Sequence, residues 1–133
     1  MEYNVSSEVK RYLHNIIFYK DKKGRQPVLD YLQELSQHQD KDSRIKLNKI
    51  QDYIQVLSEY GTLAGEPYIK HLDGEIWELR PARNRILFVG WDNGSFVLLH
   101  HFMKKTQKTP AREIEKAKKE FADYIERRNK DEQ

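Results

Sequence analysis

The sequence predicts a small α+β fold ordered β-α-α-β-β-β-α, a central and mostly antiparallel sheet with helices packed on it. Three observations predict it. Apolar residues recur at helical spacing as far as Leu57 and alternate at strand spacing from Tyr68 onwards. Asn93-Gly94 separates two runs of leucine, β-branched and aromatic residues, and Asn-Gly is the favoured pair for a tight hairpin. The second of those runs is apolar on both faces, as a strand buried inside a sheet must be.

Each element has its own warrant. Residues 13–19, Leu-His-Asn-Ile-Ile-Phe-Tyr, carry the β-branched and aromatic content of a first strand, and the polar run Lys20 to Arg25 breaks it. Pro27 suits the first turn of a helix over 26–36, where its missing N–H costs nothing, and Val28, Tyr31, Leu32 and Leu35 form its stripe. After the polar loop Ser36 to Asp42, Ser43 is placed to cap a second helix over 44–60, with Leu47, Ile50, Ile54 and Leu57 on one face and Tyr53 beside them. Gly61 suits the left-handed position past its end.

Tyr68 to Leu72 reads as a short extended piece and Asp73-Gly74 as a turn. Glu75 to Arg80 is a strand with Trp77 and Leu79 on one face and Ile76, Glu78 and Arg80 on the other, ended by Pro81. Arg85 to Trp91 follows. Phe96 to Met103 is the last of four main strands and is placed inside the sheet, with Phe96, Leu98 and Phe102 on one face and Val97, Leu99 and Met103 on the other. Beyond the loop Lys104 to Thr109, Pro110 opens a helix over 110–127 bearing Ile114, Ala117, Phe121, Tyr124 and Ile125.

The length of 133 residues suits one domain spanning 1–133. Leu, Ile, Val and Phe supply 33 of those residues. That is above the roughly 20% below which highly charged chains stay disordered. No run approaches the ~18 apolar residues of a membrane span, and Met1 to Lys10 lack the apolar core of a secretory signal, so a soluble, cytoplasmic protein is expected. The absence of cysteine excludes a disulfide scaffold, a thiolate nucleophile and a cysteine-based zinc site.

Net charge is +3, but it is unevenly placed. Between Arg80 and Arg112 seven bases (Arg80, Arg83, Arg85, Lys104, Lys105, Lys108 and Arg112) face one acid, Asp92. The rest of the chain holds 17 bases and 20 acids. A charge run is most often a solvated face. Here the hairpins add a reason to read it as a phosphate-binding surface: Arg80 leaves one strand where Arg85 enters the next, and an antiparallel last strand returns His100 to Lys105 to that same end.

The residues at that rim have definite chemistry. A guanidinium at Arg80 or Arg85 forks two phosphate oxygens and holds developing negative charge; as surface groups, both would simply pair with Glu78 or water. Arg83, in an exposed loop, supplies longer-range attraction. His100 and His101 are adjacent on a strand and leave opposite faces, so they do not share a metal, and His71 with Asp73 is a weak ligand pair; no metal site is expected. One histidine is expected to pack and the other to sit among cations as a neutral acid or base. Lys104, Lys105 and Lys108, interleaved with Thr106, Gln107 and Thr109 before a helix start, make a phosphate cradle, and Tyr68, Trp77 and Trp91 offer stacking faces, although the tryptophans read as core.

Glu78-Leu79-Arg80, Arg85-Ile86-Leu87-Phe88 and the stretch from Leu98-Leu99-His100-His101-Phe102-Met103-Lys104-Lys105 through Thr106-Gln107-Lys108-Thr109-Pro110, closing with Glu113 to Ala117, resemble the RelE/HigB superfamily of type II toxin–antitoxin toxins, in its phage-related HigB-like branch. The resemblance runs from about Tyr68 to Tyr124, with the two early helices matching by pattern and length. It implies a small RNase-like fold, cleavage of mRNA on the ribosome without a cofactor, and a neutralising helix-turn-helix antitoxin. It also implies that the RNA 2′-OH attacks the adjacent phosphate. Arg80, Arg85, His100, His101 and Lys104 would then be the catalytic groups, and Arg83, Lys105, Lys108, Arg112 and Tyr68 would hold RNA. Relatives place a tyrosine or histidine after the last strand, whereas here no tyrosine follows before Tyr124. Two other readings compete: a ParE-like inhibitor of DNA gyrase, and an RNA-binding module without catalysis.

Overall fold

The computed structural model describes residues 13–131; the segment read above for a secretory signal lies outside them. Five strands, β1 (Ile16–Phe18), β2 (Ile69–Asp73), β3 (Ile76–Leu79), β4 (Asn84–Trp91) and β5 (Ser95–Met103), form one sheet in the order β1-β5-β4-β3-β2. Three helices, α1 (Pro27–Gln37), α2 (Lys41–Tyr60) and α3 (Ala111–Asp131), pack on it. The expected order of elements holds, and β5 is internal as expected, between β1 and β4. The extended piece after Tyr68 proves to be a fifth strand, paired antiparallel with β3 at the sheet's edge. All pairings are antiparallel except that of β1 with β5.

The two faces of the sheet bury two cores. Val28, Leu32 and Leu35 of α1 and Ile50 and Leu57 of α2 meet Leu79, Ile86, Phe88, Phe96 and Leu98 on one face. Ala117, Phe121 and Tyr124 of α3, spaced to share one stripe, meet Leu87, Val89, Val97 and Leu99 on the other. β4 and β5 are therefore covered on both sides, which is why their sequences are continuous apolar runs.

Two local details differ from expectation. α2 is capped by Asp40, whose carboxylate accepts the Ser43 N–H at 2.9 Å; Ser43 sits inside the first turn and donates its hydroxyl to the same carboxylate. α3 continues to Asp131 because no Gly or Pro interrupts it. The β4–β5 connection is as expected: Asn93 and Gly94 take positive φ values of 59° and 74°. Among the described residues no helix is long and apolar enough to cross a membrane.

Candidate functional site

β3, β4 and β5 bring their basic ends together. Asn84 pairs with Met103 and Arg85 with Phe102, and the Lys104 N–H donates to the Arg83 carbonyl at 2.7 Å, so the ladder runs on into the loop after β5. On the α3 face of this end lies Glu78, 1% exposed. Its carboxylate accepts the Thr109 hydroxyl at 2.5 Å and faces Arg80 Nε at 3.5 Å and Arg85 Nε at 3.8 Å. A carboxylate this buried is tolerated only because cations and a donor surround it.

The two arginines, alike in sequence, separate in space. Arg85 is buried, and its Nη1 donates to the carbonyls of Ala82 and Asn84, at 2.8 Å each. Burial pushes its guanidinium below the ordinary value and Glu78 opposes that, so it remains a cation fixed in orientation. Arg80 is drawn outward, sharing Glu78 and facing Glu66 at 3.7 Å.

Arg85 lines an open cleft of about 390 Å³, closed by the end of β5, the loop Lys104 to Pro110, and Arg112 and Glu113 of the first turn of α3. Arg80 is outside it. The Thr106 hydroxyl donates to the Lys108 carbonyl at 2.7 Å and shapes the loop. Among the described residues, Lys104, Lys105 and Lys108 have no carboxylate partner within 4.0 Å, so their charge is available to an anion. Five cations (Arg85, Lys104, Lys105, Lys108 and Arg112) meet one acid, Glu113, in the lining. A concave wall of one sign concentrates the field on an anionic chain.

The histidines are sorted by a bulge that sequence reasoning missed. Leu87 pairs with His100 and Phe88 with Leu98, which makes Leu99 an extra residue in β5. The alternation shifts there. Phe102 joins Val97 and Leu99 on the α3 face, not Phe96 and Leu98 as expected, while Met103 lies beside α2. His100 is 1% exposed beneath α3, its Nδ1 2.5 Å from Glu120 Oε1 and its Nε2 3.0 Å from Glu113 Oε1. Both ring nitrogens thus face carboxylate oxygens of α3.

His101 turns the other way and stacks on Tyr31 of α1, with ring centroids 3.7 Å apart and planes at 15°. Burial, then the neighbouring His100 and Lys116, lower its pKa to about 4, so it is neutral at physiological pH, on the sheet face opposite the cleft. The unfolded chain binds this proton with a pKa of roughly 6.5, so between that value and about 4 the unfolded state holds more protons and stability falls as pH falls. His101→Phe, which keeps a ring against Tyr31, is expected to flatten that part of a urea-unfolding series across pH 7 to 4; an unchanged slope would contradict the assignment.

The other predicted residues scatter. Arg83 lines a separate cavity of about 350 Å³ with Ile45, Lys46 and Lys49 of α2 and Met103. Tyr68 packs on Tyr53 of α2, ring centroids 4.9 Å apart, away from the cleft. Trp91 is wedged between Phe121 and Tyr124, and Trp77 lies against Phe88. His71 bonds the Gly74 carbonyl at 2.7 Å, and among the described residues no three metal-ligating side chains cluster. Glu113 was missed, although a signal existed: with Ala117, Glu120 and Phe121 it falls on the core-facing stripe of α3, where a carboxylate needs a partner.

The fold is a small α+β sheet domain with a basic cleft at its strand ends. Residues 30–122 match the family described as Phage derived protein Gp49-like (DUF891), and the chain belongs to that family. No curated protein matches the sequence.

Proposed function

We propose that this chain is the toxin of a type II toxin–antitoxin pair, and that it is a metal-independent endoribonuclease that cuts mRNA on the ribosome and so stops translation. Family membership supports the toxin reading. The observation that carries the ribonuclease reading is the cleft itself, where cations from β4, the loop after β5 and α3 surround one space and three lysines have no carboxylate partner among the described residues. In the reaction the RNA's own 2′-OH attacks the adjacent phosphate, leaving a 2′,3′-cyclic phosphate and a 5′-OH. Arg85 and Lys104 hold charge on the phosphorane, while Lys105, Lys108 and Arg112 position the backbone. A cleft this open is completed by a larger RNA assembly, hence the ribosome. A helix-turn-helix antitoxin neutralises the protein in the cytoplasm.

The test compares one mRNA translated and free of ribosomes, with cuts mapped by primer extension. Translated mRNA is expected to be cut far faster, and EDTA added to a pre-formed ribosome complex, at a dose that leaves it intact, is not expected to stop cleavage. The triple Lys→Ala variant at 104, 105 and 108 should lose growth arrest while its stability changes by less than about 1.5 kcal/mol, since exposed substitutions each cost within ~0.5 kcal/mol. Full arrest by that variant would overturn the cradle. Uncut RNA together with inhibited DNA gyrase would replace the nuclease with a gyrase poison.

A further inference from the structure

The cleft has an abundance of cations and needs a proton acceptor. His100 and His101 are the acid–base residues by type, yet neither lines it: His100 is sealed under α3 and His101 stacks on Tyr31 across the sheet. Among the described residues lining the cleft, the only side chain with a carboxylate or imidazole is Glu113.

Glu113 is held as a working group would be. It stands in the first turn of α3, where the helix start favours a carboxylate, and its backbone N–H donates to the Pro110 carbonyl at 3.0 Å. Oε1 lies 3.0 Å from His100 Nε2, and the other side of that ring is held by Glu120 Oε1, 2.5 Å from Nδ1. The side chain is 17% exposed, and Oε2 faces the Arg112 Nε at 3.9 Å on the cleft wall. One oxygen is thus anchored to a buried ring and the other is presented to the space where a phosphate would sit. Glu120 takes the other ring nitrogen, so the ring is held between the two carboxylates.

Resting on the ribonuclease reading above, we propose that Glu113 is the general base, taking the 2′-OH proton on Oε2, with His100 and Glu120 as the positioning residues behind it. As the proton passes to Glu113, the 2′ oxygen forms its bond to phosphorus and the bond from phosphorus to the 5′ oxygen breaks. The leaving 5′ oxygen takes a proton from the Lys104 ammonium, and both groups re-equilibrate with solvent. Lys104 lines the cleft and is the least exposed of the three loop lysines.

Single-turnover cleavage on programmed ribosomes tests this. Glu113→Gln keeps an oxygen for His100 but accepts no proton, and it should lower the rate by 10²-fold or more while ribosome binding and the unfolding midpoint stay near wild type. Glu113→Ala should regain part of its rate in added formate, a small carboxylate that restores a missing base and does not mend a lost structural contact. A substrate with sulfur in place of the leaving 5′ oxygen needs no acid, so the Gln defect should persist on it.

A Gln variant cutting at the wild-type rate, or a Gln defect that vanishes on the thio substrate, overturns Glu113 as base. An Ala variant that folds but gains nothing from formate does the same. If the Gln variant unfolds, the formate measurement on Ala, or on Gly should Ala unfold too, decides, and failure of both to fold makes the residue structural. Wild-type protein that cuts no RNA at all would instead overturn the nuclease reading itself.

Discussion

Glu78→Ala is expected to destabilise the protein by about 3–5 kcal/mol, the usual cost of removing one partner from a buried charge cluster. The carboxylate is 1% exposed and lies within 3.8 Å of two guanidinium groups, of which Arg85 is itself almost fully covered. Without it Arg85 has only carbonyls to face and Thr109 loses its acceptor. Urea unfolding measures the loss. Glu78→Gln should fall between the two, because the amide still accepts from Thr109 but no longer offsets the arginines. A Glu78→Ala midpoint within error of wild type would mean that water already screens the cluster.

Arg85→Lys is expected to lower single-turnover RNA cleavage by about 10²–10³-fold, the range seen when one preorganised donor to a developing oxyanion is lost. Lysine keeps the charge opposite Glu78, so folding should survive and ribosome co-sedimentation should be little changed. What it lacks is the planar fork: Arg85, a residue of the cleft lining, uses Nη1 on two backbone carbonyls and Nε towards Glu78. An ammonium cannot hold all three directions. Arg80→Ala, outside the cleft, should cost much less in rate. Equal losses from the two would mean that charge alone matters.

That contrast marks how far the sequence could be read. Strand and helix identities were legible because periodicity is set by which face is buried, and Asn93-Gly94 and Pro110 punctuate it. Convergence of the Arg80–Arg85 and His100–Lys105 segments followed from hairpin connectivity alone. Which arginine faces the cleft did not follow, because that depends on how Arg80 and Arg85 divide one carboxylate and on Glu66 reaching Arg80 from another loop. The cap on α2 was placed at Ser43 because serine is a good cap, but Asp40 is also one and wins by the three-residue reach to the Ser43 N–H. The bulge at Leu99 leaves no mark on an all-apolar run, since shifting Leu-Leu by one residue leaves both faces apolar. Glu113 and Glu120 were legible in principle as two acids on an apolar stripe.

The extra residue at Leu99 divides β5 into two half-strands that keep different time. Upstream, Phe96 to Leu98 answer to the packing of the sheet; downstream, His100 to Met103 are set one step out of phase and deliver side chains to α3, Tyr31 and the cleft. The two halves therefore answer to different constraints. Drift in the first is judged by whether the chain folds, and drift in the second by what the folded chain does. Were Leu99 instead taken into regular pairing, strict alternation would turn His100 to the face of α1 and His101 to that of α3, exchanging their surroundings and taking the imidazole of His100 away from Glu113. A family built on this strand can alter its chemistry without renegotiating its core, provided that one residue of slack is kept.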